Sequence, residues 1–319
     1  MKTNALFLLI ALLIVSSCRQ NLNQPKVILP NTTGSLKITG AYALYPLTRV
    51  WVSEYQKLYP DTKFEIIANG SGGGLNDVLN DKCNIAMISS EVPNELSSKL
   101  WVTPVARIAV VLIVNRNNPY LKKIISDGMK KDDIMTVFTS GMTRTWSDLY
   151  GGAGKEKINV LIRSDSSGAS DVLAKYLWVK PVDLKGTGIP GEDKMIEAVK
   201  MDPLALGYCN FIAVIDLAKG DFLPGFTVVP IDFNQSGKID PKEDFFDSVT
   251  HLQRAMWTGK YPCVLTRELY FVTKGKPVTA EVLGFLRWVL TKGQELIAKE
   301  GYIELHSSEI QVNLEALKN

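Results

Sequence analysis

The chain has 319 residues, of which 46% are hydrophobic, and carries a formal net charge of +3. That length and apolar content fit a globular protein large enough for two lobes. The near-balanced charge, with lysines spread along the chain instead of forming a stripe, argues against nucleic acid and suits a small anion held in a local cationic pocket.

Lys2, the apolar run Ala5 to Val15 and then Val15-Ser16-Ser17-Cys18 read as an export signal over residues 1–17, with Cys18 as a bacterial lipidation site. The apolar run is about half the ~20 residues a membrane-spanning helix needs. A soluble secreted protein with an incidental cysteine is the alternative. Residues 18–33, rich in Asn and Pro without periodicity, form a tether. Cys83, Cys209 and Cys263 remain, all in or beside apolar strand-like runs; three buried free thiols are expected, with one bridge among them as the alternative. With only His251 and His306, and no CxxC, a zinc site is not expected.

Leu36 to Gly40 reads as a first strand. A helix opens at Pro46 and carries Leu47, Val50, Trp51, Tyr55 and Leu58 on one face. Phe64 to Ile67 is a second strand, followed by a glycine-rich loop, Asn69-Gly70-Ser71-Gly72-Gly73-Gly74, whose backbone N–H groups could cradle an anion; a flexible turn is the alternative. Asn84 to Ile88 is a third strand and delivers Ser89 and Ser90. Pro104 to Asn115 is apolar enough to be a strand buried on both faces and a first crossing between lobes. A helix near Ile134 to Phe138, a turn holding Trp146, a helix near Met195 to Lys200 and a strand Ala205 to Tyr208 follow. A return crossing near Val264 to Thr273 leads into one long final helix, Thr279 to about Glu300. Strands alternating with helices imply an α/β fold with a mostly parallel sheet in each lobe. Lobe 1 would comprise 34–106 and 265–319, and lobe 2 would comprise 107–264. Trp146, Trp178, Trp257 and Trp288 are expected to fill cores or hinge surfaces, whereas Tyr208 fits either a cleft or a core.

The densest chemistry lies in Ile162-Arg163-Ser164-Asp165-Ser166-Ser167-Gly168-Ala169. A strand ends at Arg163, whose planar fork suits a tetrahedral oxyanion, and a helix follows whose start is supplied by Ser166, Ser167 and Gly168. A serine-capped helix beside a surface arginine is the plainer alternative.

These residues, with Gly40-Ala41-Tyr42-Ala43-Leu44-Tyr45-Pro46, Asn69-Gly70-Ser71-Gly72-Gly73, Ala205-Leu206-Gly207-Tyr208, Leu269 to Gly275, Gly293-Gln294 and Glu300-Gly301-Tyr302, resemble the PstS-like substrate-binding proteins of phosphate ABC transporters, in a lipoprotein form. The resemblance spans about Ile38 to Leu305. It implies a two-lobed type II periplasmic-binding fold with two crossover segments, closing over a dehydrated oxyanion and delivering it to a permease. By position, Leu44 and Tyr45 would offer backbone N–H groups, Ser71 a hydroxyl and N–H, and Arg163 a cation. Ser167, Gly168 and Ala169 would form the helix start. Leu44 and Ala169 stand where many phosphate binders have threonine. Ser89 or Ser90 stands where phosphate-specific members have an aspartate that accepts the phosphate proton. A serine can donate to fully ionised anions as well, so strict phosphate selectivity does not follow.

A second motif, Asp232 to Glu243, matches a calcium loop through Asp232, Asn234, Ser236, the Lys238 carbonyl and Glu243. The competing reading is a polar turn entering a helix capped by Asp240. The expectation is therefore a lipid-anchored, monomeric oxyanion-binding protein at the bacterial cell envelope, serving an ABC permease and needing no cofactor beyond a structural calcium. A sensing or scaffold lipoprotein not coupled to transport is the alternative. A hydrolase using Ser71 or Ser167 is disfavoured, because neither lies in GxSxG and no SxxK occurs.

Overall fold

A computed structural model describes residues 34–165 and 167–318; the stretches expected as signal peptide and tether, Cys18, Ser166 and Asn319 lie outside the described residues. Short β-branched runs form strands β1 (Ser35–Gly40), β2 (Lys63–Ala68) and β3 (Ile85–Ile88), which pair in parallel with β1 in the middle. Helix α1 (Tyr45–Leu58) crosses from β1 to β2 and carries proline in its first turn, where the missing N–H has no partner to lose. It buries Leu47, Trp51 and Tyr55, with Tyr55 edge-on to Phe285 at 5.2 Å and to Trp288 at 5.6 Å. Leu58, expected on that face, is the last residue of the helix and is 60% exposed.

The glycine-rich segment is not a free loop. Helix α2 spans Gly70–Leu79, so Ser71 and its flanking glycines are its opening turn. Glycine is needed there for closeness: a Cβ on Gly74 would stand 2.8 Å from the Cα of Gly40 and 3.0 Å from the Thr39 carbonyl. Two long strands, β4 (Leu100–Asn115) and, near the C-terminus, β9 (Thr266–Lys274), run antiparallel to each other and join the lobes. Pro104 sits within β4, and the register shifts beside it so that Val105 opposes no residue of β9. The Val105 carbonyl accepts instead from Gln294 Nε2 at 2.9 Å.

In the second lobe, β5 (Asn159–Arg163), β6 (Thr187–Ile189) and β7 (Ala205–Asn210) are parallel, with β5 central. β7 meets β4 antiparallel, and β8 (Phe226–Val228) adds to the end of β4. One curled sheet thus runs β2-β1-β3-β9-β4-β7-β5-β6. Helices α3 (Lys131–Thr139), α4 (Gly168–Tyr176), α5 (Glu192–Met201) and α6 (Val249–Trp257) belong to this lobe. The main apolar core of one lobe holds Leu36 to Ile108 and Leu269 to Leu317; that of the other holds Ala109 to Leu265 and Ile303. The two meet between consecutive residues of β4.

The long final helix is broken. α7 (Ala280–Val289) stops, and α8 (Gln294–Ile297) restarts after a turn. The turn frees the Gly293 carbonyl to accept from Trp51 Nε1 at 2.9 Å and buries Gln294, whose amide also takes the Leu305 N–H. Helix α9 (Ser307–Ala316) follows, and no expectation covered it. Trp146 opens a short helix, Trp146–Tyr150, and is buried, as is Trp288; Trp178 and Trp257 are 83% and 40% exposed, against expectation. Trp178 lies at the end of α4 with the Lys131 ammonium 3.5 Å from its ring centre, so a cation covers one face. All three described cysteines are free, but only Cys209 is buried, whereas Cys263 is exposed at the rim of the crossing strand.

Candidate functional site

In the first lobe, Ser71 and Ser89 come together. Ser71 is in the first turn of α2 and Ser89 follows β3; the Ser89 N–H donates to Ser71 Oγ at 3.1 Å, and the hydroxyls are 3.3 Å apart. Ser90 is exposed. Leu44, before α1, is buried, and its N–H donates to the Ala41 carbonyl at 3.2 Å; the Tyr45 N–H donates to Tyr42 at 3.3 Å. Both N–H groups proposed for the anion thus have long intrachain partners.

In the second lobe, β5 ends on Arg163. Its Nε and Nη2 take both oxygens of Asp165 at 2.8 and 2.6 Å, and its Nη1 takes Glu192 of α5 at 2.7 Å. The side chain is only 8% exposed. Burial opposes its charge, but the bonds to Asp165 and Glu192 outweigh that and raise its pKa. Asp165 is lowered to about 2, chiefly by its bond to Arg163. Ser167 precedes α4 in an extended conformation and its side chain makes no capping bond. Its hydroxyl is therefore not spent on the helix. Ala169 is buried, and Gly168 is the first helical residue.

Tyr208 of β7 ties these pieces together. Its hydroxyl accepts the Arg163 N–H at 3.1 Å and lies 2.7 Å from Ser170 Oγ, locking the end of β5 to the first turn of α4. It is fully buried, so the core placement holds, and burial raises its pKa. Across the lobes, Lys175 of α4 pairs with Glu91, two residues beyond Ser89, at 2.7 Å. A cavity of about 500 Å³ lined by Glu91, Trp101 and Tyr270 opens beside that pair.

Three polar residues were missed. Glu192 accepts the Asn210 N–H and, at 3.0 Å, its side-chain amide. The Asn210 carbonyl oxygen in turn accepts from Arg267 Nη2 at 3.3 Å. Arg267 is the second residue of β9; burial lowers its pKa to about 10, leaving it cationic at neutral pH. A charged residue two positions ahead of the apolar run Leu269 to Val272 was the available signal.

The proposed calcium loop is closed by its own backbone. Asp232 takes the N–H groups of Ser236 at 3.1 Å and Gly237 at 2.7 Å; Glu243 takes those of Phe233 at 2.8 Å and Asn234 at 3.0 Å. Asn234 Oδ1 takes the Ser236 N–H at 2.8 Å, and Ser236 Oγ donates to the Lys238 carbonyl at 3.0 Å. Among the described residues no group of three or more His, Cys, Asp or Glu side chains gathers as a metal cluster. A polar turn follows the loop instead of the capped helix that was the competing reading.

The chain matches the family model of the PBP superfamily domain over residues 29–292. It is 25% identical to the phosphate-binding protein PstS of Methanocaldococcus jannaschii, covering 93% of this chain and 87% of that one. It is 24% identical to PstS of Bacillus subtilis, covering 85% and 81%. Among solved structures, it resembles a putative phosphate ABC transporter substrate-binding protein with bound phosphate from Clostridium perfringens, with a TM-score of 0.65, 22% identity and coverage of 85% of this chain and 100% of that one. An ABC-type phosphate transport receptor from Vibrio cholerae gives 0.63, 17%, 85% and 100%. The curled sheet shared with these structures and the family match over most of the sequence lead to one conclusion: the chain belongs to the PBP superfamily, with PstS proteins among its relatives.

Proposed function

We propose that this protein captures an inorganic oxyanion, phosphate foremost, between its two lobes and hands it to an ABC uptake permease. The observation that carries this reading is the pairing of half-sites: Ser71 and Ser89 at strand and helix ends of one lobe, Arg163 and the uncapped Ser167 at those of the other. Ligands of α/β sheets bind at such carboxyl ends. Ligand contacts made to both lobes at once would favour a closed form. The names of the relatives support phosphate as the anion.

The departures at Ser89 and Ser90 bear on selectivity. Glu91, the next carboxylate, is committed to Lys175, which lowers its pKa. A bound anion would therefore meet hydroxyls and N–H groups in place of a free carboxylate that only accepts, and sulfate would compete. The protein acts as a binder and not as a hydrolase: His251 is paired with Asp247, and His306 packs on Trp257, so neither described histidine accompanies Ser71 or Ser167. We infer a place in the bacterial cell envelope, anchored through a lipid on Cys18 and facing the periplasm or the cell exterior; among the described residues no helix is long and apolar enough to cross a membrane. Calorimetric titration with phosphate, and separately with sulfate, tests the reading. Binding of neither anion would defeat it.

A further inference from the structure

Arg163 has little charge left to give. Two carboxylates, Asp165 and Glu192, hold it, so this trio carries one net negative charge. An anion approaching Arg163 alone would meet that excess. Arg267 is in the opposite condition. Among the described residues its Nε and Nη1, closed to solvent, have no hydrogen-bond partner, and its Nη2 has only the neutral side-chain carbonyl of Asn210. A buried cation without an ion pair is strongly disfavoured unless something else compensates it.

The guanidinium is also placed against the positive end of a helix. A Cβ built on Gly168, the first residue of α4, would stand 1.7 Å from Arg267 Nη1 and 2.6 Å from its Cζ. The Nη1 edge of the guanidinium thus meets the helix start that is itself proposed to receive an anion. Cation and helix N-terminus are electrostatically alike, and an anion shared between them resolves both. Arg267 also stands at the junction: its register partner is Ile108, the last residue of β4 in the first core.

We propose that Arg267 is the uncompensated cation of the anion site, donating Nε and Nη1 to the bound oxyanion from the crossing strand while Arg163, held by its carboxylates, orients the ligand. The inference rests on the oxyanion reading above. It assigns the site a preference for the more highly charged anion, because two unmet donors of a cationic group await it. The charged groups around Arg267 are Glu192 on α5, Asp171 on α4 and Arg163 on β5, and the first two keep it protonated against burial.

The test uses the intact chain and its Arg267→Met and Arg267→Lys variants, titrated calorimetrically with inorganic phosphate through its second ionisation and with sulfate, alongside thermal unfolding without ligand. Wild type should bind more tightly as phosphate becomes a dianion. Arg267→Met should lose roughly 100-fold in affinity for the dianion, flatten that pH profile and unfold no earlier than wild type without ligand. Arg267→Lys should fall between them. Wild-type affinity and pH profile in Arg267→Met would overturn the proposal alone. A variant that unfolds earlier yet keeps the pH profile and the phosphate-to-sulfate ratio would make Arg267 a strut and overturn it too. A folded wild type that binds neither anion would overturn the oxyanion reading, and this proposal with it.

Discussion

Lys175 and Glu91 form a 2.7 Å ion pair across the lobes, although their side chains are 67% and 83% exposed. Their placement matters more than their strength. Lys175 is in the helix that opens at Gly168, and Glu91 follows the strand that delivers Ser89, so the pair spans the mouth of the proposed cleft.

Exposed pairs contribute about 0–1 kcal/mol. Lys175→Ala should therefore leave unfolding within about 0.5 kcal/mol of wild type. It should release bound anion a few-fold faster, and added salt should bring wild type toward the variant. Stopped-flow release at low and high ionic strength reads this. A release rate insensitive to both mutation and salt would remove the pair from any gating role.

Gly74 holds α2 against β1 so closely that an added methyl meets backbone on both sides. Gly74→Ala should destabilise the protein by about 1–3 kcal/mol, since the helix must retreat to admit it. Ser71, in the first turn of the same helix, would move away from Ser89. Urea unfolding should show the loss, and phosphate titration should show weaker binding.

Asp165 carries its pH signature in the acid range. Its folded pKa, about 2, lies below the ordinary aspartate value. The stability it contributes is complete above that ordinary value of about 4 and is lost as pH falls through about 2. Urea midpoints of wild type and Asp165→Asn should differ at pH 5 and converge toward pH 2. Parallel curves would show that the Arg163 bond is not what depresses this carboxyl.

The Asp232 loop is already closed by backbone donors, so calcium would reinforce a frame and not build one. At calcium about 100-fold above its dissociation constant, linkage contributes about 2.7 kcal/mol, or roughly 5 °C in Tm for a chain of this size. The rise should vanish in chelator and in Asp232→Asn. Identical melting curves in calcium and chelator would mark the segment as a metal-free turn.

Most strands and helix starts were legible in the sequence because their causes are local: β-branched runs, Pro46 and the strand-to-helix passage after Arg163. The break at Gly293 was not, since it exists to give Trp51 a carbonyl from 242 positions away. The glycine-rich stretch was misjudged as a loop because glycine signals freedom in sequence, whereas here it permits close approach. The same division runs through the site. Arg163 announces itself beside a serine-glycine helix start. Arg267 reaches Asn210 across 57 positions, and nothing near it in sequence shows that its guanidinium lies on Gly168.

The two crossing strands also set an order of assembly. The second core, from Ala109 to Leu265, is synthesised almost whole before β9 exists, while the β2-β1-β3 sheet waits with one edge of β3 unpaired. Ile85 to Ile88 are completely buried once β9 covers that edge, so until then they form an apolar strand open to wrong partners. The lobe begun first is therefore the lobe finished last, and chain truncations that spare every residue of β1, β2 and β3 but remove β9 should leave it prone to aggregation.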